Sequence, residues 1–130
     1  MSPVLQQIAW FIAVGTASAA THWLVVVGLV SATAAPPLLA NVGGWLVAFM
    51  VSFAGHYTLT FRHQHAPLLQ AALRFFGVSA LGFAMNEAAY AVLLHTSALP
   101  YELSLAAVLI GVAFMTFVLG RFWAFRRATH

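Results

Sequence analysis

Polar side chains are so scarce in this sequence that the few interrupting its apolar runs stand out as candidates for chemistry. Three lie deep within such runs: His22, Asn86 and Glu87. A carboxylate inside a hydrocarbon layer is costly unless it is paired, hydrated or protonated, so Glu87 is a functional candidate by position. Polar groups at that depth have no water to satisfy them and need partners. The plainer alternatives are a protonated Glu87 bonded to another helix and a His22 bonded to a backbone carbonyl. Asn41 reads as interfacial packing. A second group sits where apolar runs end: His56, Tyr57, Arg62, Arg74, Arg121, Arg126 and Arg127. Arginine presents a planar fork of donors that fits phosphate oxygens. Topology and attraction to anionic headgroups account for Arg127 and Arg62. Arg121 differs, because Phe122-Trp123-Ala124-Phe125 follows it and draws it into the edge of an apolar layer, where a partner is expected.

Conventional catalysis finds little to use. Glu102 is the only other acid, and aspartate, lysine and cysteine are all missing. Gly77-Val78-Ser79-Ala80-Leu81 begins like a nucleophile elbow but lacks the closing glycine and opens a helix instead of following a strand. No phosphate loop or zinc-protease pattern is present. His63 and His65 lack a third ligand for a metal. The expectation is a protein that is not an enzyme and needs no cofactor or metal.

The elements that must position these residues are membrane spans. The chain is 63% apolar and 5% charged, against about 25% charged in ordinary soluble domains. So few charges cannot cover a soluble surface, and no basic patch stands beside stacking aromatics to take nucleic acid. Residues 1–130 read as a single integral membrane domain with spans at about 8–30, 38–61, 75–94 and 103–121, each long enough for a layer of ~30 Å. Ala17-Ser18-Ala19 resembles a signal-peptide cleavage site, but no positive charge precedes the first run. Ala40, Gly44, Ala48 and Ser52 recur every fourth residue, a small face that admits another helix or a thin lipid chain.

The spans come in pairs. At an offset of 64 residues Pro3 meets Pro67, Phe11 meets Phe75, Val14 meets Val78 and Pro36 meets Pro100. The fold class expected is an all-α membrane protein of four transmembrane helices, built from two tandem two-helix repeats, 3–62 and 67–126, in parallel orientation. Under this repeat His22 and Asn86 are equivalent. Four spans put the termini and residues 62–74 on one side with all five arginines, so that side is cytoplasmic by the positive-inside rule. So small a bundle has little room for a closed cavity and admits a homo-oligomer.

Arg74-Phe75, Leu39-Ala40-Asn41 and Gly120-Arg121-Phe122-Trp123-Ala124-Phe125, in their places at span ends, resemble the GtrA-like family of small four-span membrane proteins, over about residues 8–127. The chain departs from that pattern at His56 and Gly120, where asparagine is usual, and at Trp10, which stands where an arginine precedes Phe11. The resemblance implies a bacterial inner-membrane protein that translocates a polyprenyl-phosphate-linked sugar, such as undecaprenyl-phosphate glucose, from the cytoplasmic to the periplasmic leaflet. Such sugars decorate O-antigen, teichoic acid or other surface polysaccharide. On this reading Arg121, Arg74, Arg126, Arg62, His56 and Tyr57 hold the lipid phosphate, and Asn86, Glu87 and His22 form the sugar path. The rivals are a membrane anchor that recruits a glycosyltransferase and a small proton-coupled multidrug exporter. The exporter needs an acid in a cation-receiving cavity, whereas this sequence concentrates arginine at the entrance.

Overall fold

A computed structural model describes residues 2–119, and these are helical almost throughout, with no strand among them. Helix α1 spans Pro3–Thr33. Ser2 caps it, its hydroxyl accepting from the Leu5 amide at 3.2 Å, and Pro3 sits at the first helical turn, where no amide proton is needed. Ala34 ends it in the left-handed region, at φ 58°, and returns its N–H to the Val30 carbonyl. Pro36 and Pro37 then force the turn, and α2 runs over Pro37–Gly55. The chain continues from α2 into one π turn, His56–Thr60, instead of remaining α-helical to residue 61. Helix α3 spans Leu68–Thr96 and α4 spans Tyr101–Leu119.

The helices are longer than the apolar runs suggest. Helix α1 starts at Pro3 and α3 at Leu68, well before residues 8 and 75. At ~1.5 Å per residue α1 is about 46 Å long, more than the hydrocarbon thickness, so its ends extend into the interfacial layers. It also passes unbroken through Ala17-Ser18-Ala19, where the Ser18 hydroxyl donates to the Ala48 carbonyl at 3.0 Å. Among the described residues three helical stretches, Pro3–Thr33, Pro37–Thr60 and Leu68–Thr96, are long and apolar enough to cross a membrane, and Tyr101–Met115 is a shorter apolar helix.

The chain divides into two compact units, Met1–Ala84 and Met85–His130. In the first, α1 and α2 meet along the small face of α2. A Cβ built on Gly44 would stand 2.7 Å from Val26 Cγ2 and 2.9 Å from the His22 carbonyl oxygen, so only hydrogen fits there. One built on Gly55 would stand 2.7 Å from Val14 Cγ1. Ala40 and Ala48 are buried on the same face, whereas Ser52 is only half-buried. Helix α2 meets the start of α3 through aromatic rings. Trp45 stacks on Phe83 at 4.7 Å, Phe49 meets Phe76 edge-on at 5.4 Å, and Phe53 lies 5.9 Å from Phe75. The Trp45 indole N–H donates to the Ser79 hydroxyl at 2.8 Å.

In the second unit Tyr90, Leu105 and Val108 are buried, and the Tyr90 hydroxyl donates to the Tyr101 carbonyl at 3.3 Å. Large apolar side chains meanwhile cover the outside of the helices: Leu24, Met50, Leu69, Val78, Ile110 and Phe114 are all exposed. That distribution suits a solvent of lipid tails, in which an exposed leucine costs nothing and an unpaired polar group costs much.

Candidate functional site

Two polar places occur in the first unit, at opposite ends of α2. Near its start, Asn41 is fully buried and its Oδ1 lies 2.6 Å from His22 Nε2 on α1. This corrects the expectation that Asn41 is an interfacial packing residue. Asn41 shares the buried face of Gly44 and Ala48, three and seven residues on, so its register carries it inward, where the amide must find a partner. An amide oxygen only accepts, so His22 Nε2 carries the proton of this bond. The partner of His22 is a side chain of the neighbouring helix, and the bond ties α1 to α2.

The other place is the π turn, about 22 Å along the helix from Asn41. A π turn widens the backbone by one residue and is frequent at functional positions. Here it sets His56 over Thr60, with His56 Nδ1 2.9 Å from Thr60 Oγ1. Phe11 of α1 stacks on the His56 ring at 5.1 Å, and Phe75 of α3 meets it edge-on at 5.8 Å. Gln7 donates its side-chain amide to the Thr60 carbonyl at 3.3 Å. Residues of two other helices, α1 and α3, therefore hold the turn. Neither Gln7 nor the π geometry was anticipated from the sequence. The helical periodicity of α2 simply runs on through residue 60, and nothing in a residue pattern marks a π turn.

The chain after this turn folds back over it. Tyr57 donates its hydroxyl to the Ala66 carbonyl at 2.8 Å, and His65 takes a positive φ of 51°. The result is a cleft of about 240 Å³, walled by Phe53, Phe61 and Phe75 and bordered by His56, Tyr57 and Arg62. His56 is buried and Arg62 exposed. The Arg62 Nε donates to His63 Nε2 at 3.2 Å, which leaves its two terminal amino groups to meet a ligand. A second cleft, of about 150 Å³, lies beside the start of α1 and is bordered by Gln6, Gln7, Trp10, Arg62 and Gln64.

Of the expected phosphate-binding set, then, the structure brings His56, Tyr57 and Arg62 to one cleft. Arg74 is exposed on α3 beside Phe75 and does not line that cleft. Arg121 and Arg126 lie outside the described residues. Of the expected sugar path, His22 lies in the first unit; Asn86, buried, and Glu87, half-buried, lie in the second. Among the described residues no three or more histidines or acids gather as a metal site.

The family described as GtrA/DPMS, transmembrane domain, matches residues 10–125. No curated protein and no solved structure matches the chain.

Proposed function

The chain belongs to the GtrA/DPMS transmembrane-domain family and is a multi-pass membrane protein of polysaccharide synthesis, and from that premise we propose that it flips a polyprenyl-phosphate-linked sugar between leaflets. The substrate is a lipid such as undecaprenyl-phosphate glucose, moved from the cytoplasmic to the periplasmic leaflet of a bacterial inner membrane for surface polysaccharide glycosylation. The role is transport and not catalysis. The observation that carries it is the cleft beside the π turn, where an exposed arginine meets a wall of aromatic rings at the end of the spans. A phosphate attached to a prenyl chain needs those two surfaces side by side: a fork of donors for the oxygens and an apolar wall for the first isoprene units.

Arg62 is the cation of this cleft, with His56 and Tyr57 beside it, and Arg74, Arg121 and Arg126 are proposed as further cations for the lipid phosphate. Asn86, Glu87 and His22 serve the sugar as it crosses. All five arginines face the cytoplasm together with both termini. The two halves are tandem repeats in parallel orientation. Supporting this, α2 begins at Pro37 and α4 at Tyr101, 64 residues later, and four pairs of equivalent positions share their burial, although Val14 is buried and Val78 exposed. Val26 and Tyr90, His22 and Asn86, Ala40 and Ser104, and Asn41 and Leu105 are all buried.

The test is reconstitution into vesicles with a fluorescent polyprenyl-phosphate glucose in the inner leaflet. Its appearance in the outer leaflet, read by a membrane-impermeant quencher, should be faster than in protein-free vesicles and slowed by Arg62→Ala. Equal rates with and without protein would reject transport and leave recruitment of a glycosyltransferase as the role.

A further inference from the structure

Arg62, Phe61 and Gln64 border both clefts, and the residues peculiar to each differ in chemistry. The first is walled by phenylalanines. The second gathers three primary amides, Gln6, Gln7 and Gln64, with the indole of Trp10. Primary amides offer both donors and acceptors, the complement of vicinal hydroxyls, each of which donates one proton and accepts on its lone pairs. An indole face packs against the C–H bonds of a pyranose ring, while its polar edge stays near water. Gln7 is fixed by its bond to the Thr60 carbonyl, which leaves its Oε1 as an acceptor in a defined place. The cleft is on the scale of a single sugar ring, at about 150 Å³, and Trp10 is 37% exposed beside it. At the 64-residue offset Trp10 stands where the second half has Arg74.

From this division we infer that the second cleft is the capture site for the sugar headgroup, with Trp10 as its platform and Gln6, Gln7 and Gln64 as its hydrogen-bonding groups. The inference rests on the proposed function. The prenyl end lies in the phenylalanine cleft, Arg62 holds the phosphate on the ridge between the clefts, and the sugar turns into the amide cleft. The chain thus reads the headgroup before it crosses, apart from whatever Asn86 and Glu87 do at depth. The ligand class is a hexose joined to a lipid phosphate, and bare lipid phosphate uses only the first cleft and Arg62.

The experiment is calorimetric binding to the purified full-length protein. The probes are a short-chain polyprenyl phosphate and its glucosyl, galactosyl and mannosyl derivatives. Wild type should bind at least one hexosyl lipid about tenfold more tightly than the bare lipid. Trp10→Ala and Gln6→Ala should abolish that preference without changing affinity for the bare lipid, and Trp10→Phe should restore part of it. Melting curves matched to wild type establish that each variant is folded. The inference is overturned if none of the three hexoses is preferred. It is overturned equally if the preference survives both alanine variants, or if Trp10→Ala weakens all four lipids alike, since Trp10 is then a membrane anchor. Failure of the underlying reading looks different: Arg62→Ala would leave binding of the bare lipid phosphate unchanged.

Discussion

His22 Nε2 and Asn41 Oδ1 lie 2.6 Å apart, joining α1 to α2 through two side chains that are both buried. Gly44 lies one turn further along α2, where a Cβ would collide with His22 and Val26. The bond and the close approach depend on each other, because a wider gap between the helices would take Asn41 out of reach. Lipid tails supply no water to replace a lost hydrogen bond.

Removing either partner should destabilise the first unit. Asn41→Ala or His22→Ala should cost about 1–2 kcal/mol, since each removes a buried hydrogen bond between the helices. The pairwise coupling in a double-mutant cycle should be about 0.6 kcal/mol and no more than ~1.7, the range for side-chain bonds between membrane helices. Detergent unfolding followed by circular dichroism measures both. A coupling near zero would mean that the bond exists but contributes no specificity.

Glycines separate into two kinds that the same assay can distinguish. Gly44→Ala should cost about 1–3 kcal/mol, because its new methyl meets the His22 backbone oxygen at 2.9 Å. Gly77→Ala places its methyl in open space with nothing within 4 Å and should be neutral or stabilising. Equal effects at the two positions would show that helix propensity, not close packing, governs both.

The success and failure of sequence reading trace to the same physics. Long apolar runs bounded by prolines made the helical spans legible, because in lipid only helices and closed barrels satisfy a backbone. The face of Ala40, Gly44 and Ala48 was legible because a period of four is a helical stripe, although Ser52 at its end proved only half-buried. Asn41 was misread because an asparagine near a span end looks interfacial until its register against Gly44 and Ala48 is drawn. The π turn was not legible at all. It depends on Gln7, Phe11 and Phe75 arriving from other helices to hold His56 and Thr60. The cleft beside the π turn suffered likewise: His56, Tyr57 and Arg62 were chosen for chemistry, but the wall of Phe53, Phe61 and Phe75 appears only when the loop folds back.

Orientation has a direct chemical test. Single cysteines at Ser31 and Ser97, in the two arginine-free turns, should react with an impermeant maleimide added to intact cells. A cysteine at Gln64 should react only after the membrane is opened. The native chain has no cysteine to compete. The opposite pattern would place the arginine-bearing side outside and reverse the direction proposed for transport.

Arg62 and Arg127 should separate a ligand contact from a topological charge. Arg62→Ala should weaken binding of polyprenyl phosphate by about 10–100-fold, the equivalent of roughly 1.5–3 kcal/mol for bonds to a charged group. Arg62→Lys should recover only part of this, because a point charge cannot reproduce two parallel donors. Arg127→Ala should change affinity less than threefold, as expected for loss of general attraction to anionic lipid. Equal losses at the two positions would reduce the rim to a diffuse field without a site.

Glu87 allows the two meanings of a carboxyl at depth to be separated. It sits on α3 beside the buried Asn86, thirteen residues beyond Arg74, or roughly 20 Å along the helix. A sugar at that level has given up its water and needs protein donors and acceptors in return. Glu87→Gln keeps donors and acceptors but removes any ionisation, whereas Glu87→Ala removes both. Transport of a polyprenyl-phosphate sugar in vesicles should fall by an order of magnitude or more with Ala, and with Gln only if a proton or charge is part of the step. Binding of the sugar-free lipid phosphate should survive both changes, since that contact is proposed for Arg62. Normal transport by both variants, at matched expression and helicity, would make Glu87 a structural residue and move the sugar path elsewhere.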